Sequence, residues 1–493
     1  MIVGALLIHI KEREMNRKQW WILGVVIFAG CLLRLIFCLA SRYEVTPFDD
    51  LDYLRRGLFF SRGGSPGCWR APMEGWLIGI AMRLFNYHFL PVRLSHTLIS
   101  CALLPLVFLL ARRFAGFNSS IIVTIITALW FEFFTYCILL LSEGVSMTLL
   151  AGAALVTILA LDAVQKGKDG KQILWLGAGV LWGLAALARD EFFFTALGML
   201  VPLWMALKSL KKALPWLCLL LLGLFLVILP YTIRNLITRK SFVLISNHGA
   251  YNLWQHWNNK IPGSEMNRQF FEWPEPEQQR RALNKAWECL RDDPRFVLTQ
   301  SAKSFFRMWA SDEMTNCIFY FGILTHGNRT IPVVLSILIT FFLFILMAGF
   351  FIHLKNSWRD PATWVMYMVI FSSLFMHALA YGQGRYRVPW TPFIIICGVL
   401  GWKYIGENFQ LRKKQMVIGI VSSLVLFSLG ALVIGKSQVR THQINIKESS
   451  EKRDEKRYLK EMRYHFGTLA SIFRQRQDKI TPLLPQEKNL KEK

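Results

Sequence analysis

Asp49, Asp50 and Asp52 lie in Thr46-Pro47-Phe48-Asp49-Asp50-Leu51-Asp52-Tyr53, just past the first long apolar run of the chain. Lipid does not tolerate clustered carboxylates, and these do nothing for helix insertion. They are therefore expected in water at the membrane surface. A carboxylate placed there can act as a general base or hold a cation. Asp49 and Asp50 are adjacent, so their side chains diverge. One is expected to act while the other orients it or binds the cation. The structural alternative is that Asp50 and Asp52 only cap or solvate a short surface helix starting near Leu51.

Arginines form the second group. Arg189 ends an apolar run within Arg189-Asp190-Glu191, and Arg234 ends another within Pro230-Tyr231-Thr232-Ile233-Arg234-Asn235. Arg385 and Arg387 open a third in Gly384-Arg385-Tyr386-Arg387-Val388-Pro389. In the orientation derived below, topology gives no reason for positive charge at these places. The guanidinium fork suits phosphate, and several at one membrane face fit a lipid phosphate headgroup. Taken singly, each arginine could instead snorkel to the interface or pair with a nearby acid. Glu143 and Glu191, at outward helix ends, read equally as partners for arginine and as site residues. Arg34, inside the first run, is expected to snorkel outward.

No Walker-type loop is present. Gly177-Ala178-Gly179 followed by Gly183 resembles a nucleotide fingerprint only in spacing. It lies in an apolar run with no strand before it, so helix packing is its expected role. An activated donor would then have to come from the membrane itself. A polyprenyl-phosphate-linked sugar meets that need, with phosphate as leaving group and its tail in an apolar groove.

The elements that must position these groups are membrane helices. The chain has 493 residues, is 54% hydrophobic and has a mean hydropathy of +0.35. Apolar runs near 20–40, 92–111, 117–135, 139–161, 173–189, 191–207, 214–233, 330–354, 361–381, 387–405 and 416–435 predict about eleven spans. The fold class is an all-α integral membrane protein. Met73–Leu84 is too short to span and is expected to be interfacial or re-entrant within the first outer loop, 41–91. Basic residues in the N-terminal flank and on alternate loops, among them Arg112, Arg113, Lys208, Lys211 and Lys212, should be cytoplasmic. The acid cluster, the segment 237–329 and the C-terminal tail then lie outside.

The segment 237–329 is expected to be mixed, with a short strand at Ser241–Ile245 and helices over Glu277–Arg291 and Pro294–Trp309. The division expected is a membrane module over 1–436 and a basic amphipathic tail over 437–493, where Leu459, Met462, Phe466, Leu469 and Phe473 recur at helical spacing. The net charge of +25 does not imply nucleic acid, because cytoplasmic Lys and Arg serve topology and anionic lipid. Cys68, Cys289 and Cys317 show no metal spacing. Met1–Ile10 lacks the basic flank of a cleavable signal, and Met15 is an alternative start.

With these residues in view, the chain resembles the GT-C superfamily of polytopic glycosyltransferases. The likeness is to the branch of protein O-mannosyltransferases and lipid A aminoarabinose transferases. Phe48-Asp49-Asp50-Leu51-Asp52-Tyr53 is similar to that branch's acid motif on the first outer loop. Arg70-Ala71-Pro72-Met73-Glu74-Gly75-Trp76 is similar to its Lys/Arg-Pro-Pro-Leu segment. Gly183–Glu191 is similar to its Gly-Leu…Arg-Pro-Glu helix end. Pro230–Asn235 and Ser246-Asn247-His248-Gly249-Ala250-Tyr251-Asn252-Leu253-Trp254 are similar to its Pro-Trp…Arg-Asn and Asn-Gly-Gly-Tyr-Asn-Leu stretches. Arg385–Pro389 is similar to its Arg-Tyr-Arg-Leu-Pro entry to a late helix. Two positions depart from the pattern: Ala71 replaces the first proline, and Trp69 stands where the aminoarabinose enzymes carry an acid.

The resemblance implies an inverting transfer of a sugar from a polyprenyl-phosphate donor to an acceptor hydroxyl. Asp49 would be the base and Asp50 its partner, with either able to hold a divalent cation. Arg189, Arg234, Arg385 and Arg387 would bind the donor phosphate. Tyr53, Arg70, Glu191, Asn247, Tyr251 and Asn252 would contact substrate. It also implies a bacterial cytoplasmic membrane, an active site on its outer face, lipid as a partner and an unspecified acceptor. The rival reading is a transporter or lipid flippase, which would place acids and broken helices near the bilayer midplane.

Overall fold

The computed structural model describes residues 15–41, 49–64, 66–86, 88–167, 171–310, 330–407, 409 and 412–429. Phe48, Cys317, residues 1–14 and the tail 437–493 lie outside the described residues.

Each apolar run folds as a helix or a helix pair. The first half comprises α1 (Arg17–Ala40), α2 (Asp49–Ser61), α3 (Met73–Leu84), α4 (Phe89–Phe114), α5 (Phe117–Leu129), α6 (Phe131–Ile138) and α7 (Ser142–Gln165). It continues through α8 (Lys171–Ala188), α9 (Phe192–Gly198), α10 (Leu200–Leu207) and α11 (Leu210–Arg239). An outer helical layer follows: α12 (His248–Trp257), α13 (Gly263–Glu272), α14 (Glu275–Asp292) and α15 (Pro294–Arg307). The chain then returns as α16 (Thr330–Ser357), α17 (Pro361–Leu379), a 3-10 turn over Gly384–Trp390 and α18 (Thr391–Glu407). The helix α19 covers 412–429.

Among the described residues, seven helices are long and apolar enough to cross a bilayer, or eight if the bent pair α5–α6 counts as one span. The shorter apolar stretches α8 and α9–α10, together with α19, account for the other runs in the sequence. The chain is a multi-pass membrane protein. This architecture follows from the solvent, because lipid offers nothing to a backbone N–H or C=O and each span must bond internally.

No strand forms among the described residues, so the expected strand at Ser241–Ile245 is corrected to irregular chain. It has no strand neighbour to pair with. Side chains of α11 serve its carbonyls instead: Asn235 Nδ2 donates to Val243 O at 3.1 Å and Thr232 Oγ1 to Leu244 O at 2.9 Å.

Arg34 does not snorkel. It is fully buried and reaches the bend between α5 and α6. Nη2 donates to Thr127 O at 3.1 Å, Nη1 to Ala128 O at 3.3 Å, and Nε to Ser100 Oγ at 3.2 Å. The last carbonyls of α5 have no helical partner at the break, and a guanidinium satisfies both them and the negative end of the helix dipole. The broken span is thus closed by an internal cap. It does not line the cavity described below.

Two close crossings fix the frame. A Cβ on Gly179 would fall 1.9 Å from Leu220 O, and one on Gly223 would fall 2.2 Å from Leu176 O. The backbones of α8 and α11 therefore touch, and the glycine spacing in α8 serves packing as expected. In the outer pair, a Cβ on Gly79 would meet Gly57 O at 2.7 Å, which locks α2 onto α3.

Candidate active site

The α2 helix sorts its acids by face. Asp50, Leu51, Tyr53, Leu54, Gly57 and Ser61 form its buried side, at the spacing of an amphipathic helix. Asp50 lies on that side with no exposed surface, and its Oδ1 accepts the Leu51 N–H at 3.0 Å. Asp49 and Asp52 share the other face and converge on Arg70. Arg70 Nη2 lies 2.6 Å from Asp49 Oδ1, and Arg70 Nε lies 2.6 Å from Asp52 Oδ2. Asp52 also receives Arg56 Nε at 3.2 Å. The expectation that all three acids face water is corrected for Asp50: residues one apart on a helix point about 100° apart.

A cavity of 530 Å³ opens beside this pair, within the size range of small-ligand sites. Asp49 and Tyr53 line it from α2, Arg70 from the loop before α3, and Ser142 and Glu143 from the start of α7. Arg189, Asp190 and Glu191 contribute from the α8–α9 turn, His248 and Asn252 from α12, and His377, Arg385 and Tyr386 from the far end of the chain. Phe193, Phe194, Leu244, Met376 and Leu379 supply an apolar wall.

Arg385 closes the ion-pair system from the opposite side. Its Nη1 is 2.7 Å from Asp49 Oδ2, so each oxygen of Asp49 meets a guanidinium. Arg385 Nη2 donates to Tyr386 Oη at 2.8 Å. The Arg70 guanidinium lies over the Tyr53 ring at 5.2 Å. A second cluster faces the first. Arg189 Nε is 2.5 Å from Glu191 Oε1 and Nη1 is 2.9 Å from Glu143 Oε1. His377 stacks on Tyr386 with centroids 4.6 Å apart, and its Nε2 lies 3.3 Å from Glu191 Oε1.

Burial would raise the Asp49 carboxyl, but Arg385 and Arg70 outweigh it and hold it well below the usual carboxylate range. Asp49 is therefore ionised at neutral pH and weakly basic while both guanidiniums hold it. His248 moves down for the complementary reason: burial disfavours its cation, and Arg70 repels it.

Sequence reasoning singled out several residues that the structure places elsewhere. Arg387 is fully buried and turned away from the cavity, with Nη2 2.5 Å from Glu132 Oε1 and Nη1 donating to Met308 O and Ala310 O at 3.1 Å. Arg234 donates to Pro66 O at 2.7 Å and to Asn235 Oδ1 at 2.6 Å, which pins the loop between α2 and α3 to α11. Asn247 is buried behind the wall, its N–H bonded to Cys68 O at 2.9 Å and its amide to Gln278. Tyr251 belongs to the aromatic core of the outer layer, its hydroxyl 2.5 Å from Asn267 Oδ1. Asp50, Arg234, Arg387, Asn247 and Tyr251 do not line the cavity. Asp49, Tyr53, Arg70, Arg189, Glu191, Asn252 and Arg385 do. Sequence reasoning passed over His377, Asp190 and Tyr386. A histidine in the last turn of an apolar run was the available signal for His377.

Trp69 packs against His248, Tyr251, Phe270 and Phe271 with centroids 4.5–5.1 Å away. It ties the outer layer to the cavity rim. Both Asp49 oxygens face guanidiniums, Asp50 is turned inward, and no group of three or more His, Cys, Asp or Glu among the described residues is placed to hold a metal ion. The residues as arranged do not fit a divalent cation, and no step below passes through one.

A family model described as dolichyl-phosphate-mannose-protein mannosyltransferase matches residues 69–232. The GT-C resemblance is borne out. The matched stretch contains Arg70, Glu143, Arg189 and Glu191, all on the cavity wall. No curated protein sequence matches the chain. Among solved structures, the archaeal oligosaccharyltransferase AglB from Archaeoglobus fulgidus, in complex with an inhibitory peptide and a dolichol-phosphate, is similar with a TM-score of 0.49 at 14% identity. That match covers 84% of this chain and 55% of the other. The Archaeoglobus fulgidus oligosaccharyltransferase in complex with Zn and sulfate gives 0.47 at 15% identity, over 83% and 52% of the two chains. The chain thus spans about half the length of the solved structures it matches.

Proposed function

We propose that this protein is a membrane glycosyltransferase that moves a sugar from a polyprenyl-phosphate-linked donor to an acceptor hydroxyl. The site faces the outer side of a bacterial cytoplasmic membrane. The observation that carries this reading is the convergence of Asp49 with Arg70, Arg189 and Arg385 on one cavity that also has an apolar wall. Acid and arginines come from segments far apart in the chain, and the apolar wall suits a prenyl tail.

The chemistry is a single displacement. The acceptor oxygen attacks the anomeric carbon while the bond from that carbon to the phosphate oxygen breaks. The phosphate leaves with the bonding electron pair, and the acceptor proton passes to an Asp49 oxygen. The leaving phosphate gains negative charge in the transition state, and guanidiniums aimed at it stabilise that change in a site shielded from water. Arg385 and Arg189 are the arginines proposed for the phosphate. Arg70, tied to Asp52, orients Asp49. Tyr53, Asn252 and Glu191 border the space left for sugar and acceptor.

The test uses purified protein in lipid vesicles with radiolabelled polyprenyl-phosphate sugars and envelope extracts as acceptor. Release of polyprenyl phosphate together with labelled acceptor is expected, and Asp49→Asn should reduce it by about 10²–10⁴. Full activity in that variant would remove the assignment.

A further inference from the structure

Among the described residues, three arginines line the cavity, and each is committed to a carboxylate. Arg70 is held by two, Asp49 and Asp52. Arg189 is also held by two, Glu143 and Glu191. Arg385 differs: Asp49 is its one carboxylate partner within ion-pair distance among the described residues, and its buried Nε has no hydrogen-bond partner among them. An anionic lipid headgroup entering this cavity must therefore compete with a carboxylate for whichever guanidinium it takes. Arg385 is the one it can take at the loss of a single ion pair.

We propose that Asp49 and the lipid phosphate compete for Arg385, so that phosphate binding releases Asp49 to accept a proton. This rests on the transfer reading above and adds an order of events to it. Gripped on both oxygens, Asp49 is a weak base. Once Arg385 turns to the phosphate, it exchanges one anion for another, and the ion pair that Asp49 loses is what raises its affinity for a proton. Asp49 keeps Arg70, and Arg70 keeps Asp52, so the carboxylate stays oriented while its basicity rises. Acceptor deprotonation is thereby tied to the presence of the donor. Arg385 is in this sense both a phosphate ligand and the control on the basicity of Asp49, while Arg70 orients the carboxylate.

Competition has an unusual consequence: removing the base should tighten phosphate binding. The probe is a prenyl methyl phosphodiester, which carries one charge and does not titrate in the range used. Binding is measured by calorimetry in detergent. Asp49→Asn should bind it about tenfold tighter than the parent chain, because no fraction of Arg385 is withheld by an internal anion. Arg385→Gln should bind it more weakly. In Asp49→Asn/Arg385→Gln the gain should vanish. Equal or weaker binding by Asp49→Asn would overturn the proposal.

A measurement on the parent chain guards against misfolded variants. At about pH 4.5, close to the ordinary aspartate range, binding should draw protons from the buffer as Asp49 loses one guanidinium. Two buffers of different ionisation enthalpy reveal this uptake, and its absence would also overturn the proposal. The two readings fail separately. Lost transfer without tighter binding in Asp49→Asn keeps the base and removes the competition. Tighter binding with full transfer does the reverse.

Discussion

Arg387 Nη2 stands 2.5 Å from Glu132 Oε1, and neither side chain has exposed surface. The pair joins the 3-10 turn that carries Arg385 to the start of α6. Arg387 also holds Met308 O and Ala310 O, and Trp130 Nε1 donates to the other Glu132 oxygen at 2.8 Å. What looked like a phosphate ligand is a clasp that sets the position of the residue two places before it.

Arg387→Met should destabilise the protein by about 3–5 kcal/mol, because it leaves Glu132 charged and buried without a partner. Arg387→Met/Glu132→Gln should recover part of the loss. Thermal unfolding in detergent, followed by tryptophan fluorescence, measures both. Similar unfolding temperatures for the single variant and the parent would contradict the clasp.

Arg34→Leu should cost about 2–3 kcal/mol by leaving carbonyls at the α5 break unsatisfied in an apolar setting. Arg34→Lys should restore part of it through its ammonium donors. Unfolding temperature and protease resistance are the readouts. Indifference to the leucine variant would mean that the break is stabilised by other groups.

Gly179→Val should prevent the α8–α11 contact, since its Cβ would sit 1.9 Å from Leu220 O. Both neighbours are backbone, so nothing can move aside. The expected result is loss of monodisperse protein on gel filtration. Gly24→Val, where nothing lies within 4 Å of the added Cβ, is the matched control and should behave as the parent.

His256, bonded to Ser304 Oγ at 3.0 Å between α12 and α15, is pushed down to about 4 by burial. An unfolded histidine titrates near 6.5, so between those values the unfolded chain binds the extra proton and stability rises with pH. The outer layer should thus lose stability, on the order of 3 kcal/mol, as pH falls from about 6.5 towards 4. Hydrogen exchange of the segment 248–307 at several pH values should show this. His256→Gln should flatten the dependence; an unchanged slope would assign it to other groups.

The sequence by itself determined the bundle. A bilayer demands long apolar runs with internally satisfied backbones, and that demand is written in local composition. The eleven apolar runs, the short helix Met73–Leu84 and the packing role of the Gly179 spacing were therefore legible one segment at a time. The irregular course of Ser241–Ile245 was not, because partners on α11 decide it.

The site was legible as residue types on one face, but not as a choice among them. Asp49 and Asp50 are neighbours in sequence, yet about 100° of helical rotation sends one to the cavity and the other into the core. Arg385 and Arg387 lie two apart on a 3-10 turn, where about 120° per residue turns them to different faces. One grips Asp49 and the other grips Glu132. Only the tertiary structure brings Asp49, Arg70 and Arg385 within ion-pair distance, because that meeting depends on how distant helices pack and no local pattern encodes it.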